Sequence, residues 1–106
     1  MAHWIGGPLR EVSAAELDQA LREEDRLVLV EFWQPRCDPC RELRRELEEL
    51  AEGVCVILAV NAEGEPEAVA RHGVSRFPMV VFFKQGLELH RFRGGALPAS
   101  TLALLR

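Results

Sequence analysis

The chain has 106 residues, of which 48% are hydrophobic and 28% are charged, and its formal net charge is −4. This length and this balance are typical of one folded domain and argue against an intrinsically disordered chain. The negative charge argues against a surface that tracks nucleic-acid phosphates, and no apolar stretch approaches the roughly 20 residues of a membrane span. We therefore predict a single domain over residues 1–106, with neither a nucleic acid nor a membrane as its partner.

The first third of the chain predicts a lead-in, an edge strand, a helix and a buried strand. Residues 1–8 lack the basic and apolar regions of a signal peptide and indicate a loose N-terminal lead-in. Residues 9–12 predict a short edge strand. Ser13 and Glu16 have the spacing of a capping box, so we expect a helix to begin there. Residues 27–33 form a nearly unbroken apolar run, which is typical of a strand covered on both faces.

A second helix follows and extends to about Glu52, and Gly53 is a typical residue at a helix C-terminus. The charges of this region alternate in sign: the arginines are Arg36, Arg41, Arg44 and Arg45, and the glutamates are Glu42, Glu46, Glu48 and Glu49. We interpret this alternation as a solvent-exposed helix face. Residues 54–60 predict another buried strand, and a strand, a helix and a strand of these lengths form a right-handed unit with parallel strands.

The second half predicts a short helix at residues 65–72, a buried strand at 79–83 and a turn at 84–86. A more polar strand follows at 87–92, and a last helix begins at Pro98. The two strands and the turn between them form a hairpin. Gly73 ends the short helix, and Gly94 and Gly95 interrupt the chain before the last helix. These elements together predict one α/β domain.

The three cysteines are too few for a disulfide scaffold and cannot all pair within the chain. Two of them form the motif Cys37-Asp38-Pro39-Cys40, at the junction between a buried strand and a helix. The positive end of a helix lowers the pKa of a thiol, and the thiolate is the species that attacks a disulfide. Cys37 is therefore the candidate nucleophile. Cys40, one turn further along on the apolar face, is the candidate resolving residue.

The motif allows two other interpretations. Zinc sites use the same cysteine spacing, but zinc needs two further ligands, and His3, His72 and His90 form no second ligand pair. The second interpretation, that both cysteines are only small residues of the core, is a poor match for a strand-to-helix junction. Cys55, by contrast, lies within an apolar strand and is expected to be a small core residue. We favour redox chemistry in a cytoplasmic protein that holds no metal and no other cofactor.

Two segments carry a resemblance to a known family. Residues 30–40 resemble the active-site segment of the thioredoxin family, where a strand ending in Phe-Trp leads into Trp-Cys-Gly-Pro-Cys. Residues 74–78, followed by an apolar strand and a Lys-Gln-Gly turn, resemble the family's cis-proline loop and final hairpin. The resemblance extends over residues 13–105. It implies a thioredoxin fold, with a central mixed sheet of four to five strands and helices on both faces.

The resemblance also implies roles for individual residues. Cys37 would attack the substrate disulfide and Cys40 would release it. Pro78 would be cis and would lie against the cysteine pair, presenting backbone to an extended substrate segment. Gly94 or Gly95 would let the substrate approach the far side of the groove. The implied function is reduction of disulfides in protein substrates by a monomer, with electrons supplied by a reductase.

One departure from the family pattern concerns the buried acid. Glu31 lies within an apolar strand where the family usually has a buried aspartate, and Ala59 stands where the family has a lysine. Burial raises the pKa of a carboxyl group, so Glu31 is a candidate acid–base partner for Cys40. Without the lysine its neutral form should be favoured further. The alternative is that the longer Glu31 side chain reaches solvent at the end of the strand.

The other departures change the surface around the cysteines. Arg36 replaces a tryptophan and Asp38 replaces a glycine, so a flat aromatic contact is expected to become a zwitterionic pair. Phe77 replaces a smaller aliphatic residue before the proline. These residues, with Trp33 and Pro39, are the candidate substrate-binding surface. They put docking to an ordinary thioredoxin reductase in doubt. They also leave open a non-catalytic partner-binding module, and metal or iron–sulfur binding through the cysteines, across a dimer, is the remaining alternative.

Overall fold

The computed structural model describes residues 9–50 and 55–94. These residues form five strands and three helices, in the chain order β1 (Arg10–Glu11), α1 (Ala14–Glu23), β2 (Leu27–Trp33), α2 (Asp38–Leu50), β3 (Cys55–Asn61), α3 (Pro66–Arg71), β4 (Met79–Lys84) and β5 (Leu87–Arg93). The predicted lead-in at residues 1–8, the end of the second helix at Gly53 and the last helix from Pro98 lie outside the described residues.

The five strands form one mixed sheet in the order β1-β3-β2-β4-β5. β3 pairs in parallel with both β1 and β2, whereas β4 is antiparallel to β2 and to β5. The parallel pair and the hairpin were both predicted from the apolar runs and the turn residues. Since β2 lies between β3 and β4, it is the central strand of the sheet.

Each face of the sheet has its own apolar core. On one face, Leu17 of α1 and Ala68 of α3 join the cluster that contains Val30 and Phe32. On the other face, Leu43 and Leu47 of α2 pack with a cluster that contains Leu29, Ile57 and Phe82. Helices therefore cover both faces, and successive residues of β2 point alternately into the two cores, as the period of a strand requires. The predicted fold class is confirmed.

The first helix begins as its sequence predicts. Ser13 is the N-cap: its side chain accepts a hydrogen bond from the Glu16 N–H at 3.1 Å, and the Ser13 N–H donates to Glu16 Oε1 at 2.8 Å. This reciprocal pair satisfies two donors that the helix start leaves without partners. Within residues 9–50 and 55–94, no helix combines the length and the apolar character that crossing a membrane requires.

Candidate active site

The cysteine pair lies at the start of α2, four residues after the end of β2. Cys37 and Cys40 form a disulfide with their Cα atoms 5.2 Å apart. The Cys40 N–H donates a hydrogen bond to Cys37 Sγ at 3.2 Å, so the sulfur takes the place that a capping oxygen has at other helix starts. Cys37 is half-buried, whereas Cys40 is 3% exposed. This difference in burial fits an accessible attacking sulfur and a shielded partner.

The proline loop lies at the same end of the sheet. The Phe77–Pro78 peptide bond is cis. Phe32 of β2 pairs with Met79 of β4, so Pro78 stands next to the end of β2, from which the chain leads into the cysteine pair. The Gly94 N–H donates to the Pro78 carbonyl oxygen at 3.4 Å, which brings Gly94 into the same region.

The predicted substrate-binding surface also included two glycines and Phe77. Gly94 has a φ of 132°, a conformation that favours glycine, whereas Gly95 lies outside the described residues. Phe77 is half-buried and packs against the core on the α1 and α3 face. Part of its side chain is therefore used for packing and only the remainder can contact a substrate.

Around the cysteine motif, the charged side chains form ion pairs that the sequence did not indicate. Arg36 and Asp38 were expected to form a zwitterionic surface pair. Asp38, which is 83% exposed, instead forms an ion pair with Arg41, one turn along α2. In the part of the chain that the structure describes, Arg36 is exposed, has a φ of 60° and forms no ion pair. The exposed surface beside Cys37 therefore carries an uncompensated positive charge, next to the exposed ring of Pro39.

Glu31 is fully buried in the centre of the sheet. Its neighbours across the strands are Ala59 of β3 and Val80 of β4, and its side chain is 0% exposed. The alternative that this side chain reaches solvent is therefore wrong. One carboxylate oxygen, Oε1, accepts a hydrogen bond from Arg44 Nε at 3.2 Å, whereas Oε2 has no partner among the described residues.

The surroundings of Glu31 change its proton affinity in opposing directions. Burial raises the pKa of Glu31 to about 7, and the negative charges of Glu11 and Glu48 act in the same direction. The Arg44 guanidinium opposes this rise by its charge and its hydrogen bond. The expectation of a raised pKa agrees with this, but the expectation that Glu31 has no counter-charge is wrong. The position of the missing lysine is Ala59, and the compensating cation comes from α2 instead.

Arg44 belongs to a polar cluster that was not predicted. Its Nη2 donates to Glu11 Oε2 at 2.8 Å, and its Cζ lies 4.7 Å from the centroid of the Trp33 ring. The Trp33 Nε1–H in turn donates to Glu11 Oε1 at 3.2 Å. Arg44 was interpreted as part of a solvent-exposed face, yet its side chain is only 27% exposed. The available signal was its position four residues after Cys40, on the same side of the helix.

An open cavity of about 220 Å³ lies beside this cluster, and its lining residues are Trp33, Gln34, Pro35, Arg36, Cys40, Arg41 and Arg44. The cavity is lined both by the shielded cysteine and by the arginine that bonds the buried acid. Water that enters it could therefore reach both groups. Cys55, by contrast, is 1% exposed within the core on the α2 face, and burial raises the pKa of its thiol. The prediction of a structural role for Cys55 agrees with this.

Comparison with known proteins gives the family. The family model described as Thioredoxin matches residues 8–105. Thioredoxin 1 from Nostoc sp. is 31% identical over 96 residues, which cover 88% of this chain and 89% of the relative. Thioredoxin from Pyropia yezoensis is 32% identical over 96 residues, with the same coverage of 88% and 89%.

Solved structures agree with this assignment. The X-ray structure of thioredoxin from Fasciola hepatica superposes with a TM-score of 0.76 at 33% identity, covering 82% of this chain and 88% of that one. The chain has a five-stranded mixed sheet, and its disulfide lies where its second helix begins. Sequence, fold and cysteine pair thus agree, and the chain belongs to the thioredoxin family of thiol–disulfide oxidoreductases.

Proposed function

We propose that this oxidoreductase reduces disulfides of protein substrates, with Cys37 as the nucleophile and Cys40 as the resolving residue. The observation that carries the assignment is the hydrogen bond from the Cys40 N–H to Cys37 Sγ at the start of α2. In the reduced protein this N–H, together with the helix dipole, favours the thiolate of Cys37. Cys40 is shielded from solvent and is suited to attack from within the protein.

The reaction takes place in two exchange steps. The Cys37 thiolate attacks one sulfur of the substrate disulfide, that S–S bond breaks, and the second substrate sulfur leaves as a thiolate and takes up a proton. Cys40 then loses its proton and attacks Cys37 Sγ, the S–S bond between Cys37 and the substrate breaks, and the first substrate sulfur leaves as a thiolate and takes up a proton. The products are the Cys37–Cys40 disulfide and a substrate dithiol, so two electrons pass from the protein to the substrate.

Glu31 is the proposed acceptor of the Cys40 proton. A pKa of about 7 lets the same carboxyl group accept and return a proton near neutral pH. Replacement by glutamine removes this capacity with little change in shape. We expect Glu31→Gln to slow the resolution of a preformed mixed disulfide by roughly 10- to 100-fold at pH 7. Resolution at the wild-type rate would contradict the role.

The surface around the disulfide is the proposed substrate site. Trp33, Arg36, Asp38, Pro39, Phe77, Pro78, Gly94 and Gly95 are its proposed residues. The exposure of Arg36, Asp38 and Pro39 supports contact with a partner, and the positive charge of Arg36 favours substrates with acidic residues near the disulfide. Pro78 offers backbone at the same end of the sheet.

Reduction of insulin disulfides with dithiothreitol as the electron source tests the activity. The wild-type protein should accelerate the reaction well above dithiothreitol alone, and Cys37→Ser should abolish the acceleration. Cys55→Ala is the matched control, because it also removes a cysteine but lies in the core, and it should keep the activity. Equal rates for wild type and Cys37→Ser would overturn the proposal.

Trapping identifies the substrates. A Cys40→Ser variant lacks the resolving sulfur and should retain substrates as mixed disulfides on Cys37, which mass spectrometry can identify. Treatment with dithiothreitol should release them. A Cys37→Ser/Cys40→Ser double variant should retain none, and capture by that variant would favour a non-catalytic binding module.

We further propose that the protein is a cytoplasmic monomer that draws its electrons from a reductase and needs no bound cofactor. The redox couple is the cysteine pair itself, and a reducing compartment returns it to the dithiol form. Light scattering tests the monomer, cell fractionation tests the location, and elemental analysis with an absorption spectrum tests the absence of a metal or chromophore.

A further inference from the structure

The buried carboxyl of Glu31 is controlled by a small number of charged groups. Arg44 and Glu48 act on it from α2 and Glu11 acts from β1, because the charges of all three influence its ionisation. Among the residues that the structure describes, Arg44 alone bonds it, through Oε1 at 3.2 Å. Because β3 and β4 present Ala59 and Val80 beside Glu31, these neighbouring positions add no charge. The ionised form of Glu31 therefore depends on one guanidinium.

That guanidinium is itself held in place from two sides. Glu11 Oε2 accepts a hydrogen bond from its Nη2 at 2.8 Å, and the Trp33 ring lies under it with the Cζ 4.7 Å from the ring centroid. Trp33 is fixed in turn by its own hydrogen bond to Glu11 at 3.2 Å. A long arginine side chain would otherwise sample many rotamers, so these contacts limit it to the position that reaches Glu31.

The same side chain also lies beside the resolving cysteine. Arg44 and Cys40 are one turn apart on α2, and both line the open cavity of about 220 Å³. Arg44 thus bonds the buried carboxyl of Glu31 and also lines the cavity that Cys40 lines. It therefore connects the buried acid with the cavity that a proton from Cys40 would enter.

We propose that Arg44 is a positioning residue for the resolving step: aligned by Glu11 and Trp33, it bonds the buried carboxyl of Glu31, favours the ionised form of that carboxyl, and lines the same cavity as Cys40. The proposal rests on the proposed role of Glu31 as acceptor of the Cys40 proton. Arg44 does not exchange the proton itself, because a guanidinium stays protonated in proteins. It determines how much of Glu31 is able to accept one.

The cluster predicts in which direction the midpoint of the Glu31 titration shifts when each charged neighbour is removed. Arg44 stabilises the carboxylate of Glu31, so its loss should raise the pH at which Glu31 titrates. Glu11 acts in the opposite direction, because it adds negative charge and shares the guanidinium. Loss of the Glu11 charge should therefore lower that pH. A purely structural role for the cluster predicts no such opposition.

The test titrates the side-chain carboxyl carbon of Glu31 by NMR in the oxidised full-length protein. Arg44→Gln should raise the midpoint by about one pH unit, since an opposite charge at this distance shifts a carboxyl by one to three units. From a midpoint near 7, resolution of a preformed mixed disulfide at pH 7 should become roughly fivefold slower, with the rate regained near pH 9. Arg44→Lys keeps the positive charge, so its midpoint and its rate of resolution should lie between those of Arg44→Gln and the wild type.

Two controls complete the experiment. Arg45→Gln removes the same charge from the next residue of α2, which is exposed, and should leave the titration of Glu31 unchanged. Glu11→Gln removes the negative charge but keeps a side-chain oxygen that accepts the hydrogen bond from Arg44, so the alignment is retained and the midpoint should fall. Because Glu11 is 48% exposed, this variant is expected to fold. The proposal is overturned if Arg44→Gln behaves as Arg45→Gln does, or if Glu11→Gln raises the midpoint. Wild-type resolution in Glu31→Gln would instead overturn the role of Glu31, even with the titration shifted.

Discussion

Glu31 is the residue that couples the folding of this protein to pH. In the unfolded chain its carboxyl titrates near 4.5, whereas burial raises the pKa in the folded protein to about 7. Between these values the folded protein binds a proton that the unfolded chain has released, so stability decreases as the pH rises. At 1.36 kcal/mol per unit, the loss is on the order of 3 kcal/mol once the pH exceeds the folded value.

We predict that Glu31→Gln stabilises the oxidised protein at pH 8 by about 2–3 kcal/mol, because glutamine has no charge to bury. At pH 4 the acid is largely protonated in both states, and the two proteins should differ by less than about 1 kcal/mol. Urea unfolding at both pH values measures the difference. Glu63→Gln, at an exposed position, should show no pH-dependent difference. Equal effects of Glu31→Gln at pH 4 and pH 8 would contradict the prediction.

At this scale the sequence predicted the acid but not the residues that control it. Glu31 is recognisable because a charged residue interrupts an apolar run. Arg44 is one of several arginines that alternate with glutamates. Its position four residues after Cys40 places it on the same side of the helix, but this spacing does not show that its side chain reaches Glu31. Glu11 lies 33 residues away from Arg44 along the chain, and only the pairing of β1 with β3 brings it to the cluster.

At the scale of elements, the capping box of α1 is the local signal with the clearest energetic consequence. We predict that Ser13→Ala lowers the free energy of unfolding by about 1 kcal/mol, because the Glu16 N–H loses its acceptor. Urea unfolding at pH 7 measures the loss. Ser75→Ala, at an exposed serine in the loop before β4, is the matched control and should change the stability by less than about 0.5 kcal/mol. An equal loss in both variants would show that the cap contributes nothing specific.

Element boundaries followed from composition where the run of apolar residues was long. β2 has the predicted bounds, and β3 and β4 each extend one residue further than predicted at their C-terminal ends. The predicted start of β3 at residue 54 lies outside the described residues. The register shift between Phe82 and Phe83, where β4 meets β5, was not predicted. Such a shift depends on how the two strands pair along their whole length, which no local sequence pattern shows. The contact of α1 with α3, where the Ala14 N–H donates to Glu65 Oε1 at 2.8 Å, likewise depends on the tertiary fold.

For the whole molecule, the arrangement of the sheet explains why the site is where it is. β2 is central, so it carries the acid into the interior and delivers the chain to the cysteine pair at its end. The local patterns predicted a parallel pair and a hairpin. That the two units join in one mixed sheet was implied by the family resemblance, whereas the pairing of β2 with β4 was not predicted. Such long-range pairings depend on which faces must be buried together.

The two cores on opposite faces of the sheet lead to a prediction about cooperativity. Leu17 lies in the core on the α1 face, and Ile57 lies in the core on the α2 face. Leu17→Ala should cost about 2–5 kcal/mol and Ile57→Val about 0.5–1.5 kcal/mol. Because the sheet separates the two sites, their effects should add to within about 0.5 kcal/mol in the double variant.

The same experiment tests whether the chain is a single domain. If both cores belong to one cooperative unit, far-UV circular dichroism and tryptophan fluorescence should give the same urea midpoint in the wild type and in each variant. Truncation of either core should then lower the stability of the whole molecule, because the two cores share the sheet between them. Separate midpoints for the two probes, or a double variant in which only one core unfolds, would mean that the two faces are independent. We expect one midpoint, since residues of β2 and β3 contribute side chains to both cores in alternation.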